Sequence, residues 1–264
     1  MAQEEVTDRL GRQLRDLRIS VTDRCNFRCP YCMPRERFGD DHTFLPRRAF
    51  LSFEEIEKVV RACIPLGLDK VRLTGGEPLL RPDLSDLVSR LSDLGIDIAL
   101  TTNGSLLRRN AEALAGAGLK RVTISLDAID EEVHQMMSDS SVTVSQILDG
   151  IEAAREVGLS PIKVNCVIRR GVNEEQATKL VRHFKGTGVI VRFIEFMDVG
   201  RTNGWTLGEV IPSRDLLNHL QHEFDLIPLE SKRKSDVAVR WGHEDGSGEI
   251  GLISSVSEPF CGDC

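Results

Sequence analysis

Three cysteines near the start of the chain, Cys25, Cys29 and Cys32, have the spacing C-x3-C-x2-C. Three thiolates on one short loop can hold three corners of a cuboidal iron–sulfur cluster and leave the fourth iron without a protein ligand. Such an iron can bind a substrate or a cofactor, whereas the usual four-cysteine ligation would close it. Two alternatives use the same thiolates, a zinc knuckle with a distant fourth ligand and an electron-transfer ferredoxin. Zinc sites more often use paired C-x2-C units and the bacterial ferredoxin run is C-x2-C-x2-C, so the spacing favours the open cluster.

The other cysteines bear on the cellular compartment. The chain has seven cysteines, and a second close pair, Cys261 and Cys264, lies at its far end. An odd number without an export signal argues against a disulfide framework, so we expect a cytoplasmic protein. Cys63 and Cys166 stand alone in apolar surroundings, which is typical of small buried side chains. The polar N-terminus and the lack of a long apolar stretch predict neither a targeting peptide nor a membrane span.

Several cations lie inside apolar, β-branched runs. Arg18, Arg72 and Lys163 are the clearest cases, and a buried charge is rarely tolerated without a partner. Because side chains alternate along a strand, Lys163 and Asn165 share one face. Several cations that converge inside a barrel would suit a triphosphate. The alternative is that each cation points outward or pairs with a buried carboxylate. The carboxylates considered for this pairing are Glu77, Asp127 and Glu195.

Short apolar runs alternate with longer amphipathic stretches along most of the chain. The predicted strands cover residues 17–21, 70–74, 97–101, 121–126, 163–168 and 190–196. The predicted helices cover residues 52–66, 83–94, 111–117, 144–157 and 174–184. This alternation implies an α/β fold with parallel strands and right-handed crossovers. Six βα units are too few for a closed eight-stranded barrel and suit a partial (βα)6 TIM-type barrel, with a doubly wound sheet as second choice. Either way, we expect chemistry beyond the carboxyl ends of the strands.

The pattern changes from about residue 231. Residues 237–241 and 249–256, separated by Gly-rich polar residues, predict a β-hairpin. We therefore divide the chain into a barrel domain, residues 1–230, and a C-terminal extension, residues 231–264.

Composition narrows the classes of function. The 264 residues carry a formal net charge of −7, and 41% are hydrophobic and 28% charged, which is ordinary for a globular protein. A nucleic-acid groove normally needs a basic footprint, and the chain as a whole lacks one. A small anionic substrate needs only a few local cations. The six histidines show no paired-ligand pattern, so we expect them on the surface.

The cysteine loop resembles that of the radical S-adenosylmethionine (SAM) enzymes, whose signature is C-x3-C-x-aromatic-C. Tyr31, the single tyrosine of the chain, fills the aromatic position. Gly75-Gly76-Glu77-Pro78 is similar to the loop of that superfamily that contacts the SAM amino group. Further segments resemble one family, the GTP 3′,8-cyclases, also called molybdenum cofactor biosynthesis protein A. These segments are residues 16–27, 72–79, 101–104, 125–128 and 192–197, and residues 260–264 resemble the start of the family's second cluster motif.

The resemblance implies a reaction. A [4Fe-4S] cluster with an open iron reductively cleaves SAM to methionine and a 5′-deoxyadenosyl radical. That radical abstracts H3′ of GTP, and the ribose radical then attacks C8 of guanine to give 3′,8-cyclo-7,8-dihydro-GTP, in the first step of molybdenum cofactor (molybdopterin) biosynthesis. The same resemblance implies a reducing electron donor, a downstream cyclic pyranopterin monophosphate synthase and compatibility with a homodimer, and it implies no nucleic acid or membrane partner.

The resemblance also implies roles for individual residues, none of them a catalytic side chain because the radical comes from the cofactor. Cys25, Cys29 and Cys32 hold the first cluster. The SAM contacts are Tyr31, Gly76, Ser125 and Met197. The GTP contacts are Arg18, Arg72, Thr101 and Lys163, with Lys70 and Arg192 as further phosphate candidates. Arg192 is the weakest of these, because its strand parity is opposite to that of Glu195 and Met197.

The sequence departs from the family pattern at its end. The family's second [4Fe-4S] cluster uses three cysteines, and an arginine-rich segment between them contacts GTP. This chain supplies Cys261 and Cys264 and ends there, so we expect a C-terminally truncated polypeptide whose extension holds an incomplete second cluster site. SAM cleavage would survive the truncation, whereas GTP cyclisation depends on the missing segment. The alternatives are another radical SAM enzyme, such as a peptide maturase, and an inactive GTP-binding remnant.

Overall fold

The computed structural model describes residues 6–199, 203–231 and 236–258. The chain divides into two compact units. Unit 1 comprises Met1–Asn26, Thr43–Thr123 and Asp149–Ser160, and unit 2 comprises Phe27–His42, Ile124–Leu148 and Pro161–Cys264. The division into residues 1–230 and 231–264 stays a prediction. In the described ranges, every helix is too short or too polar to span a bilayer.

Helices and strands alternate through the described residues. The strands are β1 (Asp16–Ser20), β2 (Lys70–Thr74), β3 (Asp97–Thr102), β4 (Arg121–Ser125), β5 (Ile162–Ile168), β6 (Ile190–Glu195), β7 (Leu226–Leu229), β8 (Val239–His243) and β9 (Glu249–Ile253). The α-helices are α1 (Arg35–Phe38), α2 (Phe53–Cys63), α3 (Leu84–Ser92), α4 (Leu107–Gly116), α5 (Glu131–Ser138), α6 (Val144–Glu156), α7 (Gln176–Phe184) and α8 (Ser213–Gln221). The first six strands confirm the predicted strands, with ends that differ by at most one residue.

Unit 1 is built on parallel strands in the order β1-β2-β3, and β4 begins in this unit. The register places Arg18 opposite Arg72, and Arg72 opposite Ala99. The alternate residues Val71 and Leu73 of β2 are fully buried. The sheet therefore has an apolar face packed in the core and a second face that carries polar side chains.

Helix α2 shows how the sequence sets the helix boundaries of unit 1. Ser52 and Glu55 form a reciprocal capping box at its start, as the S-x-x-E pattern predicts. Ile56 and Val60, four residues apart, are its buried residues. Gly67 follows with a φ of 102°, a left-handed conformation that closes the helical segment at little steric cost.

In unit 2 the strand order is β5-β6-β9-β8-β7. Strand β6 pairs in parallel with both β5 and β9, while β9, β8 and β7 form an antiparallel meander. The predicted hairpin is confirmed as β8 and β9, with Trp241 opposite Ile250. Strand β7 was not predicted, because it is four residues long and contains Pro228. A proline is tolerated there because the antiparallel partner lies on one side only.

The expectation for the histidines is wrong at two positions. His134 and His243 are 2% and 5% exposed. The His134 Nε2 lies 3.1 Å from the Val142 carbonyl oxygen, and its ring contacts Phe27 edge to face. Burial lowers the pKa of both imidazoles, so both favour the neutral form.

Candidate functional site

The cysteine loop leaves β1 and includes one helical turn. The amides of Cys32 and Met33 both donate to the Cys29 carbonyl at 2.9 Å. Residues three apart in such a turn are neighbours, so Cys29 and Cys32 lie on one side of it. Cys25 and Cys29 are half-buried, Cys32 is exposed, and none of the three is in a disulfide. Cys25 belongs to unit 1, and the other two cysteines belong to unit 2.

In unit 2, helix α5 supports this loop from its C-terminal end. The Arg28 amide donates to the Ser138 carbonyl at 3.0 Å, and Arg35 forms a two-pronged ion pair with Asp139 at 2.9 Å. Phe27, 5% exposed, packs edge to face against His134 of the same helix. The sequence prediction missed α5, which is only eight residues long. The signal that could have found it is Asp130, whose side chain caps the helix by accepting from the Glu132 and Val133 amides.

In unit 1, the Gly75-Gly76 segment packs directly against the backbone at the start of the cysteine loop. The Gly76 amide donates to the Thr22 carbonyl at 2.8 Å, and the Glu77 amide donates to the Arg24 carbonyl at 2.7 Å. A Cβ atom on Gly76 would lie 2.2 Å from the Arg24 carbonyl oxygen and 3.0 Å from the Cys25 amide nitrogen. Only a residue without a side chain fits this approach, which explains the paired glycines.

Glu77 joins the loop after β2 to the loop after β3. Its Oε1 accepts from the Thr102 hydroxyl at 2.7 Å and from the Leu79 amide at 3.0 Å, and its Oε2 accepts from the Asn103 amide at 2.7 Å. Burial raises the pKa of Glu77, and these three hydrogen bonds oppose the rise. Glu77 therefore pairs with no cation among the described residues, and its hydrogen bonds link the two loops.

Asn103 continues this network to the residue after Cys25. Its Nδ2 donates to the Asn26 Oδ1 at 2.8 Å, and the Asn26 Nδ2 donates to the Ser105 hydroxyl at 3.0 Å. The Ser105 hydroxyl in turn donates to the Asn103 Oδ1 at 2.7 Å, which closes a ring of three side chains. Asn26 and Asn103 lie within the family-like segments 16–27 and 101–104, but no role was predicted for either residue.

Two of the cations on the unit 1 strands are neutralised within the unit. Lys70 forms an ion pair with Asp16, and Arg121 forms one with Asp97. The partners are aspartates at the N-terminal ends of β1 and β3 rather than the buried carboxylates considered from the sequence. Lys70 is therefore the weaker candidate for a phosphate contact.

Arg18 and Arg72 are different, because they form no ion pair within the part of the chain that the structure describes. Their Cα positions are partners in the register of β1 and β2, and Arg72 is half-buried. Burial lowers the pKa of Arg72; the cations of Arg18 and Arg121 add to this, and Asp16 and Asp97 oppose it. Thr101 lies on the same face, two residues beyond the register partner of Arg72. An anionic ligand would stabilise this pair of adjacent guanidinium groups.

In unit 2 the register resolves the position of Arg192. Asn165 is opposite Arg192, and Arg192 is opposite Gly251, so Lys163, Asn165 and Arg192 share one face. The Arg192 Nε donates to the Asn165 Oδ1 at 2.9 Å. A Cβ on Gly251 would come within 3.1 Å of the Arg192 Cγ, so the glycine leaves room for the arginine side chain.

Glu195 lies on the opposite face of β6. Its Oε1 accepts from the amide and hydroxyl of Ser213 at 2.7 and 3.0 Å and from the Ser257 hydroxyl at 2.5 Å. Its Oε2 accepts from the amides of Val256 and Ser257, both at 2.8 Å. Burial raises the pKa of Glu195, but these hydrogen bonds outweigh burial and the net shift is downward. As the sequence indicates, Arg192 and Glu195 lie on opposite faces of β6. Arg192 shares the face of Lys163, and Glu195 lies on the other face.

Tyr31 connects the cysteine loop to the ends of β4 and β5. Its hydroxyl donates to the Asp127 Oδ2 at 2.7 Å, and the Asp127 Oδ1 accepts from the Val167 amide at 2.8 Å. Burial raises the pKa of Asp127 to about 6, against the effect of both hydrogen bonds. Burial and the nearby Asp127 also raise the pKa of Tyr31 well above its usual value.

Asn203 connects Tyr31 to Met197. Its Nδ2 donates to the Tyr31 carbonyl at 3.2 Å and to the Met197 carbonyl at 3.1 Å. The Met197 side chain is 41% exposed, and Ser125, at the end of β4, is half-buried. No role was predicted for Asn203 from the sequence.

The site residues named from the sequence thus fall into two groups. Unit 1 contains Arg18, Cys25, Lys70, Arg72, Gly76 and Thr101, and unit 2 contains Cys29, Tyr31, Cys32, Ser125, Lys163, Arg192 and Met197. Cys261 and Cys264 lie outside the described residues. In the described ranges, no three His, Cys, Asp or Glu side chains converge on a single ion position. A cuboidal cluster does not require such convergence, because each thiolate binds a different iron.

Comparison with known families divides the chain near residue 187. Residues 19–184 match the family described as the Radical SAM superfamily. Residues 189–264 match the family described as Molybdenum Cofactor Synthesis C. The first match includes the whole cysteine loop, and the second begins just before β6. Membership of the Radical SAM superfamily implies a 4Fe-4S cluster and SAM.

Solved radical SAM structures share the fold. The structure of Streptococcus suis SuiB bound to S-adenosylmethionine aligns with a TM-score of 0.64 at 20% identity, over 78% of this chain and 46% of that one. Native anSMEcpe with bound AdoMet aligns with a TM-score of 0.61 at 19% identity, over 80% of this chain and 60% of that one. These likenesses confirm the predicted partial TIM-type barrel.

Curated relatives extend the match over nearly the whole chain. A protein of Xanthomonas axonopodis pv. citri (strain 306) is 52% identical over 97% of this chain and 77% of its own length. A protein of Acidothermus cellulolyticus is 50% identical over 99% of this chain and 73% of its own length. Both carry the name GTP 3′,8-cyclase. This chain therefore belongs to the GTP 3′,8-cyclases, the radical SAM enzymes of molybdenum cofactor biosynthesis.

Proposed function

We propose that this chain converts GTP to 3′,8-cyclo-7,8-dihydro-GTP with a [4Fe-4S] cluster and SAM. The observation that carries the proposal is the cysteine loop, against whose backbone Gly76 packs closely. The chain that contains this loop is 52% identical to a protein named GTP 3′,8-cyclase. When bound, the cluster and SAM supply one-electron chemistry that ends in hydrogen-atom abstraction from the substrate. The residues of the chain bind and orient the reactants.

The chemistry of the donor set supports Cys25, Cys29 and Cys32 as the cluster ligands. All three are accessible to at least a moderate degree, whereas Cys166 is fully buried and burial raises its pKa well above the usual value. A thiolate is the metal ligand, so a buried thiol such as Cys166 is unsuited to that role. The loop is also fixed by backbone hydrogen bonds on the Thr22, Arg24 and Cys29 carbonyls. A loop held in this way can present thiolates without a large ordering cost.

We assign the SAM contacts to Tyr31, Gly76, Ser125 and Met197. Support comes from the positions of Gly76, Ser125 and Met197 at or just beyond the carboxyl ends of β2, β4 and β6, where α/β folds place their ligands. Gly76 lies in a segment where a side chain would collide with the backbone of the cysteine loop. Its main chain is therefore the part of this residue that can meet a ligand.

We assign the GTP phosphates to the cations of the strand faces. In unit 1, Arg18 and Arg72 form no ion pair among the described residues, and Thr101 lies on the same face. In unit 2, Lys163 and Arg192 share a face with Asn165. Lys70 is a further candidate, although it forms an ion pair with Asp16. Guanidinium groups suit phosphate oxygens because they donate two parallel hydrogen bonds.

The remaining assignments follow the family. We propose Cys261 and Cys264 as ligands of a second [4Fe-4S] cluster. We also propose an external electron donor, a downstream cyclic pyranopterin monophosphate synthase and the cytoplasm as the compartment, because thiolate ligands must stay reduced.

The first experiment tests the cluster ligands. After anaerobic reconstitution, dithionite, SAM and GTP are added, and 5′-deoxyadenosine and cyclised GTP are measured by mass spectrometry. We expect 5′-deoxyadenosine from the wild type and neither product from Cys29→Ala, which removes one of three ligands. Cys63→Ala is the matched control, because Cys63 is half-buried and lies outside the loop. Equal product from Cys29→Ala and Cys63→Ala would refute the ligand assignment, and 5′-deoxyadenosine made with a peptide but not with GTP would favour a peptide maturase.

The second experiment tests the GTP site by calorimetry. A charged hydrogen bond contributes about 1.5–3 kcal/mol, so Arg72→Ala should weaken GTP binding roughly 10- to 100-fold. Arg109→Ala, an exposed arginine on α4, is the control and should bind as the wild type does. Unchanged GTP affinity in Arg72→Ala would remove it from the site. GTP binding without any turnover would leave only the inactive remnant.

A further inference from the structure

We propose that Asp127 and Asn203 are positioning residues that hold Tyr31 at both of its ends and so couple the cysteine loop to Met197. The inference rests on the proposed function, because it concerns how the cluster ligands are oriented relative to a SAM contact. It adds to that function two residues to which neither the sequence nor the family match assigned a role.

Asp127 is itself rigidly held. Asp127 is 6% exposed, and its Oδ1 accepts from the Val167 amide at 2.8 Å. Its carbonyl oxygen accepts from the Asn173 Nδ2 at 2.9 Å, and that nitrogen also donates to the Val167 carbonyl at 2.8 Å. Asp127 therefore fixes the Tyr31 hydroxyl, 2.7 Å from its Oδ2, relative to β5 as well as β4.

Asn203 holds the main chain of Tyr31. Asn203 is 9% exposed, and its Nδ2 donates hydrogen bonds to the carbonyls of both Tyr31 and Met197. Its Oδ1 accepts from the Trp205 amide at 3.3 Å, and the Trp205 indole donates to the Phe196 carbonyl at 2.8 Å. The amide of Asn203 thus ties the cysteine loop directly to the segment that follows β6.

The aromatic position is filled by a tyrosine. A phenylalanine would satisfy a position that needs only an aromatic ring, but the hydroxyl of a half-buried tyrosine also needs a hydrogen-bond acceptor. The chain uses its single tyrosine here and supplies a carboxylate for it. Tyr31 lies between Cys29 and Cys32, so a displacement of its ring or its carbonyl moves the peptide that carries Cys32. Partners of this kind orient metal ligands without touching the metal.

The single tyrosine permits a direct test on the metal-free protein. Tyrosine labelled with ¹³C at Cζ gives one NMR signal, because the chain contains one tyrosine. We expect Asp127→Asn to shift this signal, because the phenol loses its carboxylate acceptor. Asp245→Asn, at the β8–β9 turn of the same unit, should leave the signal unchanged. An unshifted signal in Asp127→Asn would overturn the proposal.

A double-mutant cycle tests whether the contact positions the loop. Tyr31→Phe, Asp127→Asn and the double variant are compared by amide hydrogen exchange of residues 28–33 without metal and by SAM affinity after cluster loading. Changes to groups around a metal site cost about 10- to 100-fold, so we expect SAM affinity to fall about tenfold in each single variant and no further in the double variant. Additive losses, or exchange rates equal to those of the wild type, would show that the contact does not position the loop.

Asn203→Ala supplies an independent arm, since it removes the bridge to Met197 and leaves the phenol intact. We expect faster exchange in residues 28–33 with an unshifted tyrosine signal. Unchanged exchange would refute the role of Asn203. A wild type that binds no cluster and no SAM would instead count against the proposed function, so the two failures are distinguishable.

Discussion

Glu77 in unit 1 and Glu195 in unit 2 are two buried glutamates, and their pKa values shift in opposite directions. Both are almost inaccessible, with exposures of 1% and 3%. Each one joins a strand end to segments elsewhere in its unit. The pKa of Glu77 is raised, whereas that of Glu195 is lowered.

Two differences act together: burial penalises the charged form of Glu195 less than that of Glu77, and Glu195 accepts more hydrogen bonds. Burial raises the pKa of both carboxyl groups, because the charged form loses its hydration. Glu77 accepts three hydrogen bonds, from one hydroxyl and two amides. Glu195 accepts five, from two hydroxyls and three amides. The larger set of donors, together with the smaller burial penalty, makes the net shift of Glu195 downward.

The loop after β2 and the segment after β9 are therefore stabilised in different ways. The loop after β2 depends on close backbone packing at Gly75 and Gly76. Glu77 links this loop to the loop after β3 by hydrogen bonds, and its raised pKa makes protonation easier. The segment after β9 depends on the charge of Glu195, because the Val256 and Ser257 amides both point at one carboxylate oxygen. Steric changes should therefore dominate in the first region, and changes of charge in the second.

The largest effect is expected for Gly76→Ala. The new Cβ would lie 2.2 Å from the Arg24 carbonyl oxygen, a backbone atom that cannot move aside alone. Overpacking typically costs about 1–3 kcal/mol of the free energy of unfolding; a clash with main-chain atoms belongs at the upper end of this range, and we expect the cysteine loop to lose its protection from hydrogen exchange.

Gly116→Ala is the matched control for that change. Gly116 ends α4, and a Cβ there meets nothing within 4 Å. Alanine favours a helix over glycine by up to about 1 kcal/mol, so this variant should be as stable as the wild type or more so. Equal denaturation midpoints for both variants would show that the glycine contact does not hold the loop.

A smaller loss is expected for Glu195→Gln. An amide nitrogen in place of one carboxylate oxygen would face donors and leave at least one of them without an acceptor. An unsatisfied buried donor costs about 1–3 kcal/mol, and urea unfolding measures it. Hydrogen exchange should rise first at Val256 and Ser257, whose amides Glu195 binds. If exchange rises evenly over the whole unit instead, the carboxylate is not a local clamp.

Much of the fold could be predicted from the sequence, because its signals are local. Apolar β-branched runs specified β1–β6 to within one residue, and the Ser52–Glu55 pattern specified the start of α2. The misses have local causes as well. Helix α5 has only eight residues, and α8, which follows Pro212, has nine and was not predicted. Strand β7 forms through its antiparallel partner more than through its own four residues.

The site was less predictable, because its hydrogen bonds join residues far apart in the chain. Tyr31 and Asp127 are 96 residues apart, and Tyr31 and Asn203 are 172 apart. Alternation along β6 placed Arg192 and Glu195 on opposite faces. Only the register with β5 showed that Arg192 shares the face of Lys163. A single sequence contains the parity of a strand, but it does not contain the register between strands.

The smallest effect, and the sharpest test of the comparison, is a difference in pH dependence between Glu77→Gln and Glu195→Gln. The lowered pKa of Glu195 means that its charge stabilises the fold above its ordinary value of 4.5, and this stabilisation is lost as pH falls through the folded-state pKa. The raised pKa of Glu77 has the opposite sign: its contribution is fully present below 4.5 and is lost as pH rises through the folded-state pKa.

We therefore expect the stability gap between the wild type and Glu195→Gln to narrow from roughly pH 7 to pH 4. As pH falls over the same range, the free energy of unfolding of the wild type should rise relative to that of Glu77→Gln. Urea unfolding of the three proteins at several pH values measures both trends, and acid effects common to all three cancel in the differences. Parallel trends in the two variants would mean that the two pKa values shift in the same direction, and the comparison between the two glutamates would fail.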